Sequence, residues 1–449
     1  MELLIKNCIK NQNVLIKNNM VIADQRGSTP GIKWIVDLQP NIKYTIKAIF
    51  HEDSSKNICI YVADIYGNTI INKNEYQVEF VPSGKYNYIG IVFQNYEYYE
   101  KFILESIKVL NYVPDNRKMI TYLADMDYAN VMTEYSNIIN QYSKKYQSRV
   151  ICNLPHPFNY KLQHDINIRK VMFTAEILVY IRYLILNSEH VIFSDELELL
   201  SDNNIGGKNY LRDLKIYNSV KNLHITHPGS IYRSNYKRFN EIEYNKYKKH
   251  FYTPDLIRLN LNKVTDYEVL QIYINKIDKD IILKSIEDRF NEKKLIISHI
   301  PSSHLKGTNL IRNLLEILFQ NEYIKNNYTY IIPNSQIDHE NLLNLKMKSV
   351  IYIDQFIPNI GTFGVSSLES LSLGNITFAS INNVINKTEI LNNIIDTTQD
   401  IDNFYKILYG ILHLPRSLLK AISCDSFNNY NKFLTPEKYV EKIENILDE

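Results

Sequence analysis

The chain has only four cysteines in 449 residues, Cys8, Cys59, Cys152 and Cys424. Their scatter shows neither zinc-ligand spacing nor a disulfide framework, which suits a reducing compartment. The start Met1-Glu-Leu-Leu-Ile-Lys6 is too short and too charged for a secretory signal, so a cytoplasmic protein is expected. No run of eighteen apolar residues occurs, and no membrane-spanning helix is expected. An excess of one charge is missing too: 51 Lys and Arg face 49 Asp and Glu, a formal net charge of +2. Without a basic stripe the chain does not read as a dedicated nucleic-acid binder. Internal repeats and low-complexity tracts are also absent.

The most informative stretch runs from Gly361 to Ala379. Gly361 and Gly364 open a turn, the spacing predicts a helix over 365–373, and Asn375-Ile-Thr-Phe-Ala379 reads as a buried strand. Free amides and the positive dipole end at such a helix start favour a phosphate, and Glu369, one turn inside, is placed to accept bonds from sugar hydroxyls. A second segment makes the same offer. The apolar Leu295-Ile-Ile-Ser298 leads through a polar loop to Lys306-Gly307-Thr308, where Thr308 or Asn309 is expected to start a helix over 310–319. Lys306 brings its charge to that helix mouth. Taken singly, the two halves read more simply as a solvated lysine before a helix and a glutamate on a helix face; together they are harder to dismiss. Strand patterns at 328–332 and 349–353 lie between them, which is the spacing of two loops on the carboxyl edge of one parallel sheet.

His299-Ile-Pro-Ser302 with Lys306-Gly-Thr, then Asp354-Gln355, then Gly361-x-Phe-Gly364-x-x-Ser367-Leu-Glu369-Ser-Leu-x-Leu-Gly374, resembles the nucleotide-sugar-binding half of GT-B glycosyltransferases of the family 4 type. The resemblance covers about 116–449. It implies two facing Rossmann-like domains, with Lys306 neutralising the donor diphosphate and Glu369 binding the ribose. Ser302, Gly307, Thr308, Gln355, Gly361, Gly364 and Ser367 would surround the donor. It also implies retention at the anomeric carbon. Cofactor and metal are unnecessary in this reading, because a lysine and a helix terminus can offset the leaving diphosphate. Two departures are visible. The family's first glutamate falls at Gly361, and its arginine upstream of the lysine is missing. Gln355, Ser302 or His304 are the substitutes on offer, and donor sugar and stereochemistry stay open.

Upstream, strand patterns at 119–123, 149–152, 191–193 and 222–226, with helices over 129–146 and 170–185, describe a second doubly wound sheet. Its loops His156-Pro-Phe-Asn-Tyr160, His164-Asp165 and His227-Pro-Gly-Ser230-Ile-Tyr-Arg233 resemble the acceptor-side loops of the same family. A histidine just past a strand, His156, can take a proton or bond a hydroxyl, and Arg233 can meet a phosphate in a bidentate way. Tyr160, Asp165 and Ser230 complete that side. The plain alternatives are a loop histidine bonded to its own backbone and an arginine paired with a surface carboxylate. Asp125-Met-Asp127 spells the metal-binding pair of the other main glycosyltransferase class, but between a first strand and a helix, capping or surface exposure is the simpler role. Gly206-Gly-Lys-Asn lacks the spacing of a P-loop.

The first 112 residues carry short runs rich in β-branched and aromatic residues (44–48, 59–63, 77–80, 88–93, 102–109), separated by turn signals. They predict an all-β sandwich of jelly-roll type, vaguely resembling carbohydrate-binding modules, with Trp34, Tyr96, Tyr98 and Tyr99 as candidate stacking rings. The alternative is a packing or oligomerisation domain. At about 100 to 200 residues per domain, the expected organisation is a sandwich over 1–112 and a joint at Val113-Pro-Asp-Asn-Arg117. A Rossmann-like acceptor domain over 116–265 and a nucleotide-sugar domain over 266–435 follow, and a helix within 436–449 returns to the middle domain.

The expected fold class is therefore α/β, GT-B, preceded by a β-sandwich. The expected activity is transfer of a sugar from a nucleotide-sugar donor to a glycan or glycolipid acceptor in cell-surface polysaccharide synthesis. A sugar-nucleotide epimerase or hydrolase, and a non-enzymatic carbohydrate-binding protein, are the alternatives. Lysines near 236–247 allow peripheral association with the inner membrane face, although a solvated helix face explains them.

Overall fold

The computed structural model describes all residues outside 5–7, 11–13, 18–19, 24–30, 51–57, 94–100, 155–159, 161–164, 169, 172–174, 195–218, 228–235, 238–246, 253–266, 270–276, 302–305, 336, 358–362, 382–391 and 398–399. The chain divides into two compact units. One comprises Met1–Arg117 with Val150–Leu154 and His164–Asn187, and the other Lys118–Arg149, Pro155–Gln163 and Ser188–Glu449.

In the first unit, Val14–Lys17, Met20–Ala23, Lys101–Leu110, Tyr44–Phe50 and Gln77–Phe80 lie side by side in one antiparallel sheet. Ile9–Lys10, Gly31–Asp37, Tyr86–Phe93, Ile58–Asp64 and Thr69–Lys73 form another. Period-two patterning sets which side chains turn inward. In Gly31–Asp37, Ile32, Trp34 and Val36 are buried while their neighbours Lys33, Ile35 and Asp37 are half-buried. One core joins Trp34, Val36, Ile60 and Ile89 of one sheet with Ile46, Phe80 and Ile107 of the other. Trp34 is therefore a core residue: it is 3% exposed and its indole N–H donates to the Leu4 carbonyl at 3.0 Å. That corrects its candidacy as a sugar-stacking ring, while Tyr96, Tyr98 and Tyr99 lie outside the described residues. The same unit includes the helix Ala175–Leu186. The Tyr66 hydroxyl accepts from the Asn167 amide at 3.0 Å, and Tyr86 meets Tyr180 edge-on with centroids 6.1 Å apart.

In the second unit, Lys118–Met126, His190–Ser194, Leu223–His227, Lys249–Tyr252 and Tyr267–Val269 pair in succession, all parallel. The helix expected over 129–146 is shorter, Val131–Tyr142, and the next strand already begins at Tyr146. Ser143 ends the helix: its hydroxyl accepts from the amides of Lys145 at 3.2 Å and Tyr146 at 2.8 Å. That turn leaves no residues for another helical turn. The C-terminal helix Pro436–Asp448, capped by Thr435, stacks Tyr439 on Tyr135 at 4.8 Å, and Asp448 accepts from the Tyr146 hydroxyl at 2.8 Å.

The other parallel sheet of this unit runs Tyr328–Ile331, Leu295–Ser298, Ile351–Ile353, Ile376–Ala379, Ile394–Asp396. In chain order that is 2-1-3-4-5. The order reverses between Leu295–Ser298 and Ile351–Ile353, which pair through Ile297 with Ile351 and Ser298 with Tyr352. Connections leave those two strands to opposite faces, so a crevice opens at their carboxyl ends. The α/β class with an antiparallel β region ahead of it is thus present as the sequence reading had it. Among the described residues no helix is long and apolar enough to cross a membrane.

Candidate functional site

Both segments singled out in the sequence arrive at that crevice. After Leu295–Ser298 the chain reaches Lys306 and the helix Thr308–Leu318, and after Ile351–Ile353 it reaches Asp354 and the helix Val365–Ser372. The caps of these helices are glycines, Gly307 and Gly364, and neither helix has a side-chain cap. By contrast Asp278, Asn321, Asp338 and Asp400 cap neighbouring helices with their side chains. The first-turn amides of the two glycine-led helices are therefore not engaged by a cap side chain, the arrangement that receives anions.

Thr308 is not the expected cap. It lies inside the helix, its hydroxyl 3.0 Å from His299 Nε2, while His299 Nδ1 donates to the Ile353 carbonyl at 2.8 Å. That bond fixes the tautomer, so Nε2 accepts from Thr308. Burial lowers the His299 pKa to about 4, leaving a neutral ring that ties one strand end to the next helix. Gly307 has φ +76°, and a Cβ there would stand 2.3 Å from the Phe356 carbonyl oxygen. Glycine is required on both counts.

Two buried ion pairs organise the crevice. Lys306 Nζ donates to Asp354 Oδ1, and Ser367 donates to Asp354 Oδ2 at 2.5 Å. Burial raises the Asp354 pKa, but Lys306 and Ser367 outweigh it and the net shift is downward. Gln355 is buried beside it. Glu369, 4% exposed, accepts from Lys346 Nζ at 2.7 Å through Oε2 and from His339 Nε2 at 2.7 Å through Oε1. Burial alone would raise its pKa; Lys346 and His339 together hold it at about 2. His339 in turn lies against the Tyr160 ring, centroids 4.5 Å apart.

Glu369, His339, Val365 and Tyr160 line a small cavity with Ala129, Val131 and Glu134. Its free volume is about 10 Å³, room for about one water molecule. Nearby, Asp127 takes the capping role rather than a metal ligand's. Its carboxylate accepts from the amides of Met132 at 2.9 Å and Thr133 at 2.8 Å. Burial raises its pKa to about 6 in spite of these donors. Among the described residues no group of three or more His, Cys, Asp and Glu is placed to hold a metal.

Of the residues expected on an acceptor side, Asp165 accepts from the Val150 amide at 2.7 Å. Tyr160 faces His339 in the cavity instead. His156, Ser230 and Arg233, and Ser302 and Gly361 of the expected donor set, lie outside the described residues. Sequence reasoning missed Lys346 and His339. They stand seven residues apart, two helical turns, with Leu342 and Leu343 between them. A lysine in an apolar stripe is the signal that was there to find.

No protein-family model matches the chain, and no curated protein matches it. Solved structures are similar to part of the chain at low identity. The N-terminal domain of Candida albicans trehalose-6-phosphate phosphatase is 11% identical with TM-score 0.49, covering 75% of this chain and 98% of its own. The α,α-trehalose 6-phosphate synthase of Burkholderia multivorans is 7% identical with TM-score 0.46, over 74% and 98%. MnaA of S. aureus, solved with UDP, is 13% identical with TM-score 0.42, over 73% and 95%.

Proposed function

We propose that this chain is a sugar-nucleotide-dependent enzyme of GT-B type, a glycosyltransferase that moves a sugar from a nucleotide-sugar donor to a hydroxyl of a glycan or glycolipid. One observation carries the reading: two glycine-led helices without side-chain caps start at the switch point of a parallel sheet, with Lys306 between them and Glu369 one turn inside. Amides at Gly307 and Gly364 and the Lys306 ammonium suit a diphosphate, and the Glu369 carboxylate suits a ribose hydroxyl.

In this reading the leaving diphosphate gathers charge as the glycosidic bond breaks, and Lys306 with the two helix starts offsets it, so no metal is called for. The cavity under Tyr160 is too small for a nucleoside. A donor that reaches Glu369 therefore takes the place of the His339 imidazole on Oε1. His156, Ser230 and Arg233 are proposed to meet the acceptor.

The test is a thermal-shift screen of nucleoside diphosphates, followed by product analysis with the sugar nucleotide that binds. One that saturates at 100 times its dissociation constant adds about 2.7 kcal/mol of stability. Transfer only in the presence of an acceptor supports the reading. Epimerised or free sugar without acceptor moves it to the epimerase or hydrolase class, and absence of any nucleotide binding overturns it.

A further inference from the structure

We infer that Lys346 is the positioning residue of this site: it keeps Glu369 anionic, commits carboxylate oxygen Oε2 to the protein, and leaves Oε1 alone to meet the donor's ribose. The inference rests on the sugar-nucleotide reading and deepens it.

Lys346 sits in the last turn of the helix His339–Lys348 with no exposed side-chain surface. Its ammonium has three protons, and three acceptors take them: Glu369 Oε2 at 2.7 Å, the Ser366 carbonyl at 2.9 Å and the Ser366 hydroxyl at 2.8 Å. The Tyr352 ring lies 4.4 Å from Nζ, and its hydroxyl meets the Ser366 hydroxyl at 2.6 Å. Burial lowers the Lys346 pKa while the Glu369 carboxylate works against that shift, and the three acceptors and the ring face hold the ammonium in place. It therefore pins both the first turn of the Val365–Ser372 helix and one oxygen of its glutamate.

The two oxygens are unlike in consequence. Oε2 faces a partner without solvent access, whereas Oε1 faces His339, which is partly exposed and stands at the cavity with Tyr160. A ligand can replace the imidazole; it cannot reach the ammonium. A ribose would thus be bound through Oε1 rather than clasped by both oxygens.

Besides Lys346, the groups near the carboxylate are His339, Tyr160 and Glu134 at the cavity and Tyr352 behind it, while Asp354 and Lys306 act on Lys346 itself. Removing the lysine charge leaves a buried carboxylate whose pKa burial raises, so ribose binding becomes dependent on pH.

The experiment compares the parent, Lys346→Met, Glu369→Gln and the double variant by calorimetric titration with the nucleoside diphosphate that binds and by thermal unfolding, from pH 5 to 8. The parent's affinity should not fall on acidification through this group, whereas that of Lys346→Met should weaken about tenfold or more from pH 8 to pH 5. Its melting temperature should fall as pH rises, and adding Glu369→Gln should restore stability and abolish both trends. A Lys346→Met chain that fails to fold while the double variant folds is the same result in stronger form. A pH profile in Lys346→Met matching the parent, or a double variant no more stable than the single one, overturns the inference. If the parent binds no nucleoside diphosphate, the functional reading and the ribose contact fall together, and the unfolding series still decides whether Lys346 holds Glu369 anionic.

Discussion

The Lys306 ammonium rests on the Asp354 carboxylate, which has no solvent-exposed side-chain surface, so the charge placed at the helix mouth is anchored from beneath. A lysine on the surface can be removed at little cost; this one cannot. Lys306→Ala strands a buried carboxylate and should destabilise the protein by about 3 to 5 kcal/mol. Adding Asp354→Asn should recover most of that, while under the proposed function turnover stays reduced by roughly 10²-fold or more, because a leaving diphosphate would have lost its cation. Chemical denaturation and steady-state transfer separate the two effects. Parental turnover in the double variant would remove Lys306 from the active site.

Gly307→Ala should be damaging although it adds one methyl. The positive φ alone costs about 1 to 3 kcal/mol in a non-glycine residue, and the new Cβ would stand 2.3 Å from the Phe356 carbonyl. The loop carrying Asp354 and Phe356 would have to shift, so a lower melting temperature should come with weaker nucleotide binding. A variant that melts and binds like the parent would show that this loop yields freely.

Acid should weaken the fold through Glu369. Its folded pKa, about 2, lies below its ordinary 4.5, so its stabilisation is fully present above pH 4.5 and is lost as pH falls toward 2. The difference corresponds to about 3 kcal/mol at 1.36 kcal/mol per unit. Thermal melts of the parent should show a steeper decline between pH 4.5 and 2.5 than melts of Glu369→Gln. Equal slopes would mean that the carboxylate is not held as an anion.

A chain begun at Asn116 should fold poorly. It would lose the Tyr66 hydroxyl that holds the Asn167 amide and the Tyr86 ring that covers Tyr180, exposing the helix Ala175–Leu186. Broadened urea unfolding and aggregation are the expected outcomes. Cooperative unfolding with parental nucleotide affinity would show that the first 115 residues fold and act separately.

Much of the architecture was legible in the sequence because it is written in local periodicity. Alternating runs marked strands such as Gln77–Phe80, and the apolar stripe with glycine punctuation marked the helix Val365–Ser372 and the strand Ile376–Ala379 within a residue or two. Lys306, Gly307 and Glu369 stood out for the same reason: each sits at a set distance from a strand end or helix start.

What the tertiary structure decided is who holds whom. Asp354 lies 48 residues from Lys306, and Lys346 lies 23 residues before Glu369. No periodicity links residues that far apart, because their pairing depends on the 2-1-3-4-5 strand order, which closes only when the sheet forms. Trp34 likewise could not be assigned to core or surface until two sheets shared one interior. The sequence alone marked most of the elements and singled out Lys306, Gly307 and Glu369. The fold decided that two lysines and two carboxylates neutralise one another around a crevice, because only burial makes such pairing obligatory.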